Sequence, residues 1–140
     1  MKQYPSRLKY KKNHKPSSSL LYLNENKNII PVNGLYALRS LENSRLTYNQ
    51  LEACRRSIRR VLKKQGKIYI KIFTNISLTK KPLATRMGKG KGGHSEWVAY
   101  VRKGQLICEV ISENSFKVEK ALLEASYKLP VRVKISKNIY

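Results

Sequence analysis

Residues Lys80 to Ser95 read KKPLATRMGKGKGGHS, and within them Gly88, Gly90 and Gly93 stand at G-x-G-x-x-G spacing. Glycine lets a backbone approach a partner closely and adopt φ > 0, so a run of this kind can cradle phosphate. A dinucleotide site needs a helix after the loop, whose N-terminus holds the pyrophosphate. Here Glu96 to Arg102 alternate as a strand instead. A P-loop needs Lys after its last glycine, but Gly93 is followed by His94 and Ser95, again with no helix. The third chemistry asks for less. Arg86 and Met87 lead into Gly88-Lys89-Gly90-Lys91, which brings charge to close range without bulky neighbours. Such a loop would order on a rugged phosphate surface, such as folded RNA. The bland alternative is a flexible, solvated connection.

Further cations gather in three places. The stretch 1–19 carries Lys2, Arg7, Lys9, Lys11, Lys12 and Lys15 with no acid, interleaved with Tyr4, Tyr10 and His14. It has no apolar periodicity and reads as an extended arm that orders on RNA, with rings available for stacking. A second group, Arg55, Arg56, Arg59, Arg60, Lys63 and Lys64, falls on one side of a helical segment whose only acid is Glu52. Like charges at i,i+4 oppose helix formation, so a partner that neutralises them is expected. The third group is Lys67 and Lys71, which alternate with Ile68, Ile70 and Ile72 beside Tyr69 and Phe73: a half-buried strand with a basic, aromatic outer face.

These groups need elements to position them. Thr47 and Gln50 form a capping box for a helix. Leu51, Cys54, Ile58, Val61 and Leu62 make its apolar face, and Gly66 is placed to stop it. Cys54 reads as a small buried hydrophobe. Short strands are expected within Leu20 to Ser40. Glu96–Arg102 and Leu106–Ile111 flank Lys103-Gly104 as an antiparallel hairpin. A second helix is expected over Phe116–Leu129, ended by Pro130, and a last strand carries Val131, Val133 and Ile135. The sum is an α+β fold: a two-layer sandwich of antiparallel or mixed sheet with two helices, plus the basic N-terminal arm. The expected division is an arm over 1–19 and one domain over 20–140, with Ser17 to Ser19 as hinge.

The 140 residues suffice for a core without disulfide or metal. Lys and Arg number 30 against 8 acids, a formal charge of +22, and all the acids are Glu. A compact chain so charged calls for a polyanion. Cations spread along the whole chain favour nucleic acid over a membrane surface. There is no apolar run of transmembrane length and no apolar segment of a secretory signal near Met1. Two cysteines, Cys54 and Cys108, make neither a disulfide framework nor a zinc site. The lack of Asp and the scatter of Glu argue against a metal-dependent or paired-carboxylate enzyme. No cofactor is implied.

The segment KPLATRMGKGKGGHSEWVAYV resembles the signature of the bacterial-type large-subunit ribosomal protein number sixteen (universal-L sixteen) family. SRLTYNQLEACRRSIRRVLKKQGKIYIKIF is similar to that family's basic helix and following strand, KYKKNHK to its arm, and KALLEASYKLPVRVKI to its last helix and strand. Ser17 to Ser19 and Gly93-His94-Ser95 depart from the family pattern. The resemblance implies a non-catalytic constituent of the large ribosomal subunit, bound to rRNA near the central protuberance and bordering the aminoacyl-tRNA site. It implies roles in subunit assembly and tRNA positioning, with rRNA, tRNA and neighbouring large-subunit proteins as partners, and neither a membrane nor a homo-oligomer. By residue match, Arg86, Met87, Gly88, Lys89, Gly90 and Lys91 would form the loop on the tRNA side, toward the peptidyl transferase region. Arg86 stands where some bacterial members carry a hydroxylated arginine, and Arg55, Arg56, Arg59 and Arg60 would line the RNA-facing helix. Richness in Lys, Asn, Ile and Tyr, with no presequence expected, points to the mitochondrial matrix, with a plastid or the bacterial cytoplasm as alternatives. The rival readings are a free RNA-binding or chaperone-like protein and a nucleotide-binding enzyme using Gly88 to Gly93.

Overall fold

The capping box forms as the sequence predicts. In the structure, a computed structural model that describes residues 5–16 and 30–138, Gln50 N donates to Thr47 Oγ1 at 3.4 Å and Thr47 N donates to Gln50 Oε1 at 2.9 Å. Helix α1 (Tyr48–Leu62) follows directly from strand β2 (Ser44–Thr47) and buries Leu51, Cys54, Ser57, Ile58 and Leu62. Its end differs from expectation. Lys63, not Gly66, takes the positive φ of 54°, and its N–H donates to Arg59 O at 2.9 Å. Gly66 is required for another reason: a Cβ there would stand 2.7 Å from Ile111 O.

Two antiparallel sheets accompany α1 and α2 (Ser115–Ser126). The larger has the order β3-β6-β1-β7, with β3 at Lys67–Ile70, β6 at Leu106–Ile111, β1 at Tyr36–Ser40 and β7 at Val133–Lys137. The smaller has the order β2-β5-β4, with β5 at Gly93–Val101 and β4 at Ile76–Lys80. The helices pack on each other and cover the larger sheet. Leu51, Ile58 and Leu62 from α1, and Val118, Ala121, Leu122 and Ala125 from α2, meet Leu38, Cys108 and Val110 in one core. Five consecutive residues of β6, Leu106 to Val110, are buried, as suits a central strand covered on both faces. Cys54 and Cys108 are buried free thiols within hydrogen-bond contact. That contact and complete burial hold Cys108 well above the usual thiol range.

The expected β5–β6 hairpin does not form. The chain turns at Lys103-Gly104, but β5 pairs with β2 and β4, whereas β6 pairs with β1 and β3. The turn is tied to the corner between β1 and β2: Gly104 N donates to Ser40 O at 2.8 Å and Ser40 N to Gln105 O at 2.9 Å. The chain therefore passes from one sheet to the other twice at the same corner. The ladder of β3 ends at Ile70, although Ile72 is still buried. Helix α2 stops at Ser126, earlier than Leu129, and β7 begins at Val133 rather than Val131. Strands β2 and β4 were not expected. The expected hinge at Ser17 to Ser19 and the apolar run Leu20 to Leu23 lie outside the described residues.

Candidate nucleic-acid interface

Helix α1 turns one face to the core, so the residues between its buried positions must face outward. Of its cations, Arg55 and Arg56 share a single carboxylate, which offsets one of their two charges. Glu52 Oε1 lies 2.7 Å from Arg55 Nη2 and 3.1 Å from Arg56 Nε. The Arg55 hydrogen bond, with a smaller one from Arg56, outweighs burial and holds the Glu52 carboxyl down at about 2. Arg59, Arg60, Lys63 and Lys64 are exposed and have no carboxylate partner among the described residues. Arg59 Nη1 reaches only Gly66 O, at 3.5 Å.

The lysines of the next segment divide. Lys67 is exposed at the start of β3. Lys71 pairs with Glu109 Oε1 at 3.2 Å, and that glutamate is fully buried. Glu109 also accepts from Asn33 N at 2.8 Å and Val32 N at 3.3 Å. Two residues beyond Tyr69, which faces Glu109 across the ladder, Lys71 is the diagonal partner on the same face. Its charge thus balances an internal acid and is less available to phosphate than that of Lys67.

The glycine loop is built without a core. Arg86, Met87, Gly88, Lys89, Gly90 and Lys91 are all exposed, and Met87 retains 95% of its surface. Gly88, Lys89 and Gly90 take φ of 101°, 51° and 82°, three successive residues in the left-handed region. Nothing lies within 4 Å of a Cβ built at Gly88 or Gly90, so conformation and not space requires glycine there. Space decides at Gly92, where a Cβ would stand 2.7 Å from Lys80 O. Gly93, part of the spacing motif, has open space and begins β5. The loop thus runs into a strand, and the helix that a dinucleotide site needs is not there. Lysines hold its carbonyls: Lys81 Nζ donates to Gly88 O at 2.7 Å.

The arm meets this loop. Lys12 Nζ donates to Lys91 O at 3.1 Å, and Lys91 Nζ donates to Asn13 O at 2.6 Å. Arg7, Lys9, Lys11, His14 and Lys15 are exposed beside it. Two lysines that bond only each other's backbone segment in these contacts, beside further exposed cations, make a positive junction that a phosphate would relieve. The helix group and the arm–loop group are the two concentrations of uncompensated charge among the described residues. Two other surface cations are paired, Arg132 with Glu42 at 3.5 Å and Lys137 with Glu119 at 2.5 Å.

Some features were not singled out from sequence. His94, read as a loop or strand-edge residue, lies in β5 with Nδ1 3.0 Å from Ser77 Oγ and its ring 4.6 Å from that of Trp97. His94 and Trp97, with Tyr48 and Asn49, line a cavity of about 380 Å³. Gly92 and the Lys12–Lys91 contact were also missed. Their only signals were a doubled glycine and a basic arm, and neither specifies a contact across the fold.

The model of the family described as ribosomal protein L16p/L10e matches residues 5–136. The chain belongs to that family. It is 48% identical over 136 residues to the large ribosomal subunit protein uL16 of Phytoplasma australiense, covering 96% of this chain and 95% of that protein. The uL16 of Chlamydia pneumoniae is 44% identical over 106 residues (76% and 77% of the two chains), and that of Blochmanniella floridana 39% over 132 residues (94% and 96%). As an L16p/L10e member the chain is a ribosomal protein, a structural constituent of the large subunit. These relatives are bacterial. Among the described residues no helix is long and apolar enough to cross a membrane.

Proposed function

We propose that the chain binds large-subunit rRNA through two surfaces, the α1 face and the arm–loop junction, near the central protuberance and the aminoacyl-tRNA site. The observation that carries this reading is the distribution of unpaired charge. Arg59, Arg60, Lys63, Lys64 and Lys67 are exposed and none of them pairs with a carboxylate among the described residues, which leaves them available to phosphate. The residues 5–16 follow the rRNA as an arm that Lys12 and Asn13 tie to Lys91 of the loop. The loop Arg86–Lys91, exposed and held by lysines, faces tRNA in the aminoacyl site. Its part is to neutralise and brace RNA, to support subunit assembly and to position tRNA; it performs no catalysis. Neighbouring large-subunit proteins complete its surroundings, and it acts as a single copy in the particle.

The test is salt-dependent binding of the full chain to large-subunit rRNA. Arg59→Gln with Arg60→Gln should reduce the slope of log affinity against log salt by about two. An unchanged slope removes α1 from the interface. The Lys-, Asn-, Ile- and Tyr-rich composition supports a mitochondrial particle. Sedimentation of fractionated organelles at about 0.5 M salt, which strips loose electrostatic binders, distinguishes this from a plastid or bacterial home. Co-migration with the large subunit is expected. A chain found only at the top of the gradient would favour a free RNA-binding protein.

A further inference from the structure

Where the end of α1, strand β3 and the start of α2 meet, the surface opens into a groove of about 1070 Å³. Its walls combine two kinds of group. Tyr69 and Ile111 are 37% and 38% exposed and form an apolar floor on the outer face of the larger sheet. Lys64, Lys67 and Lys117 line it, and Glu113 is the single acid among the lining residues, so the groove is net positive. Lys117 Nζ is oriented by Gln65 Oε1 at 3.0 Å, whereas Lys64 and Lys67 have no carboxylate partner among the described residues.

We infer that this groove holds a nucleotide of single-stranded RNA, its base against the Tyr69 ring and its phosphate among Lys64, Lys67 and Lys117. This rests on the rRNA-binding reading and adds a specific seat to it. An unpaired base offers a flat apolar face to an exposed ring, while its phosphate needs cations a few ångströms away. A free phosphate would use the lysines and leave the floor wet. The groove also adjoins α1 through Arg59, whose Nη1 lies 3.5 Å from O of the lining residue Gly66, so the strand that enters it can keep its backbone beside that arginine. Its volume lies just above the roughly 300–1,000 Å³ usual for ligand pockets, room for a base, sugar and phosphate.

The test is fluorescence anisotropy of the full chain with a labelled single-stranded RNA hexanucleotide. Tyr69→Leu should weaken binding by about tenfold, and Tyr69→Phe should stay within about twofold, since stacking needs the ring and not the hydroxyl. Neither change should alter the salt slope. Inorganic phosphate should displace the hexanucleotide only at concentrations that act by ionic strength. Equal affinity of Tyr69→Leu and the parent, or displacement by phosphate at its own saturating concentration below that range, would overturn the seat. If Tyr69→Leu does not fold, ultraviolet crosslinking of the parent decides: a link at Tyr69 supports the proposal, and links confined to other residues overturn it. A silent Tyr69→Leu beside a reduced slope for Arg59→Gln/Arg60→Gln removes only the groove. An unchanged slope removes the α1 face of the wider reading.

Discussion

The cations of α1 and those of the glycine loop reach solvent by opposite means. On α1, Arg59 and Arg60 are carried by a helix whose other face packs Leu51, Ile58 and Leu62 into the core. Their positions follow from that packing, and a phosphate partner meets a rigid, preformed row. In the loop, Lys89 and Lys91 have no apolar packing beneath them. The backbone is shaped by three positive φ values and by the ammonium groups of Lys81 and Lys12 on the carbonyls of Gly88 and Lys91. Binding and stability are therefore linked on α1 and separable in the loop. A rigid row suits a fixed structural contact, whereas a coreless loop can adapt to a partner at low cost to the fold.

The largest test of this contrast is Ile58→Ala. Its side chain is fully buried, so unfolding in urea should show a loss of about 2–5 kcal/mol. Met87→Ala in the loop should stay within about 0.5 kcal/mol; comparable losses would mean that the loop is packed after all. Next comes a contrast inside the loop. Gly92→Ala should cost about 1–2 kcal/mol, because its Cβ meets Lys80 O, while Gly93→Ala, with open space, should leave the melting temperature unchanged. Similar melting temperatures for the two would show that the Lys80 carbonyl can shift freely.

A smaller effect separates the two halves of the helix. Arg55→Gln with Arg56→Gln should flatten the salt slope of rRNA binding less than the Arg59/Arg60 pair does, since Glu52 already offsets one of their two charges. Equal slopes would mean that RNA takes both arginines away from Glu52. The smallest effect is acid stability. The Glu52 carboxyl is lowered from 4.5 to about 2, so the stabilisation from its arginines is complete above pH 4.5 and is lost as pH falls toward 2. The pair is half-buried at the helix surface and still screened by solvent, so this is about 0.5–1 kcal/mol. Glu52→Gln should remove that part of the acid limb in urea titrations between pH 5 and 2.5; an unchanged limb would show that the pair adds nothing.

Local signals were legible where local physics decides. The Thr47/Gln50 capping box, the apolar face of α1 and the alternation through Ile68, Ile70 and Ile72 all appear, because each depends on neighbours within a few residues. The β5–β6 hairpin was misread because Lys103-Gly104 is a sound turn in either case. What carries the two strands into different sheets is the bonding of Gly104 and Gln105 to Ser40, far away in sequence. Gly66 and Gly92 needed to be glycine because of Ile111 O and Lys80 O, and no spacing rule contains such contacts.

The sequence by itself determined the charge, its placement on a helix face, an arm and a glycine loop, and the resemblance that led to the family. These depend on residue type and short-range periodicity. Only the tertiary structure decided which cations are available. It gave Lys71 to buried Glu109, set Lys12 against Lys91, and brought Lys117 to the groove of Lys64, Lys67 and Tyr69. The physical reason is that electrostatic partnership depends on distance through space, which chain order does not encode.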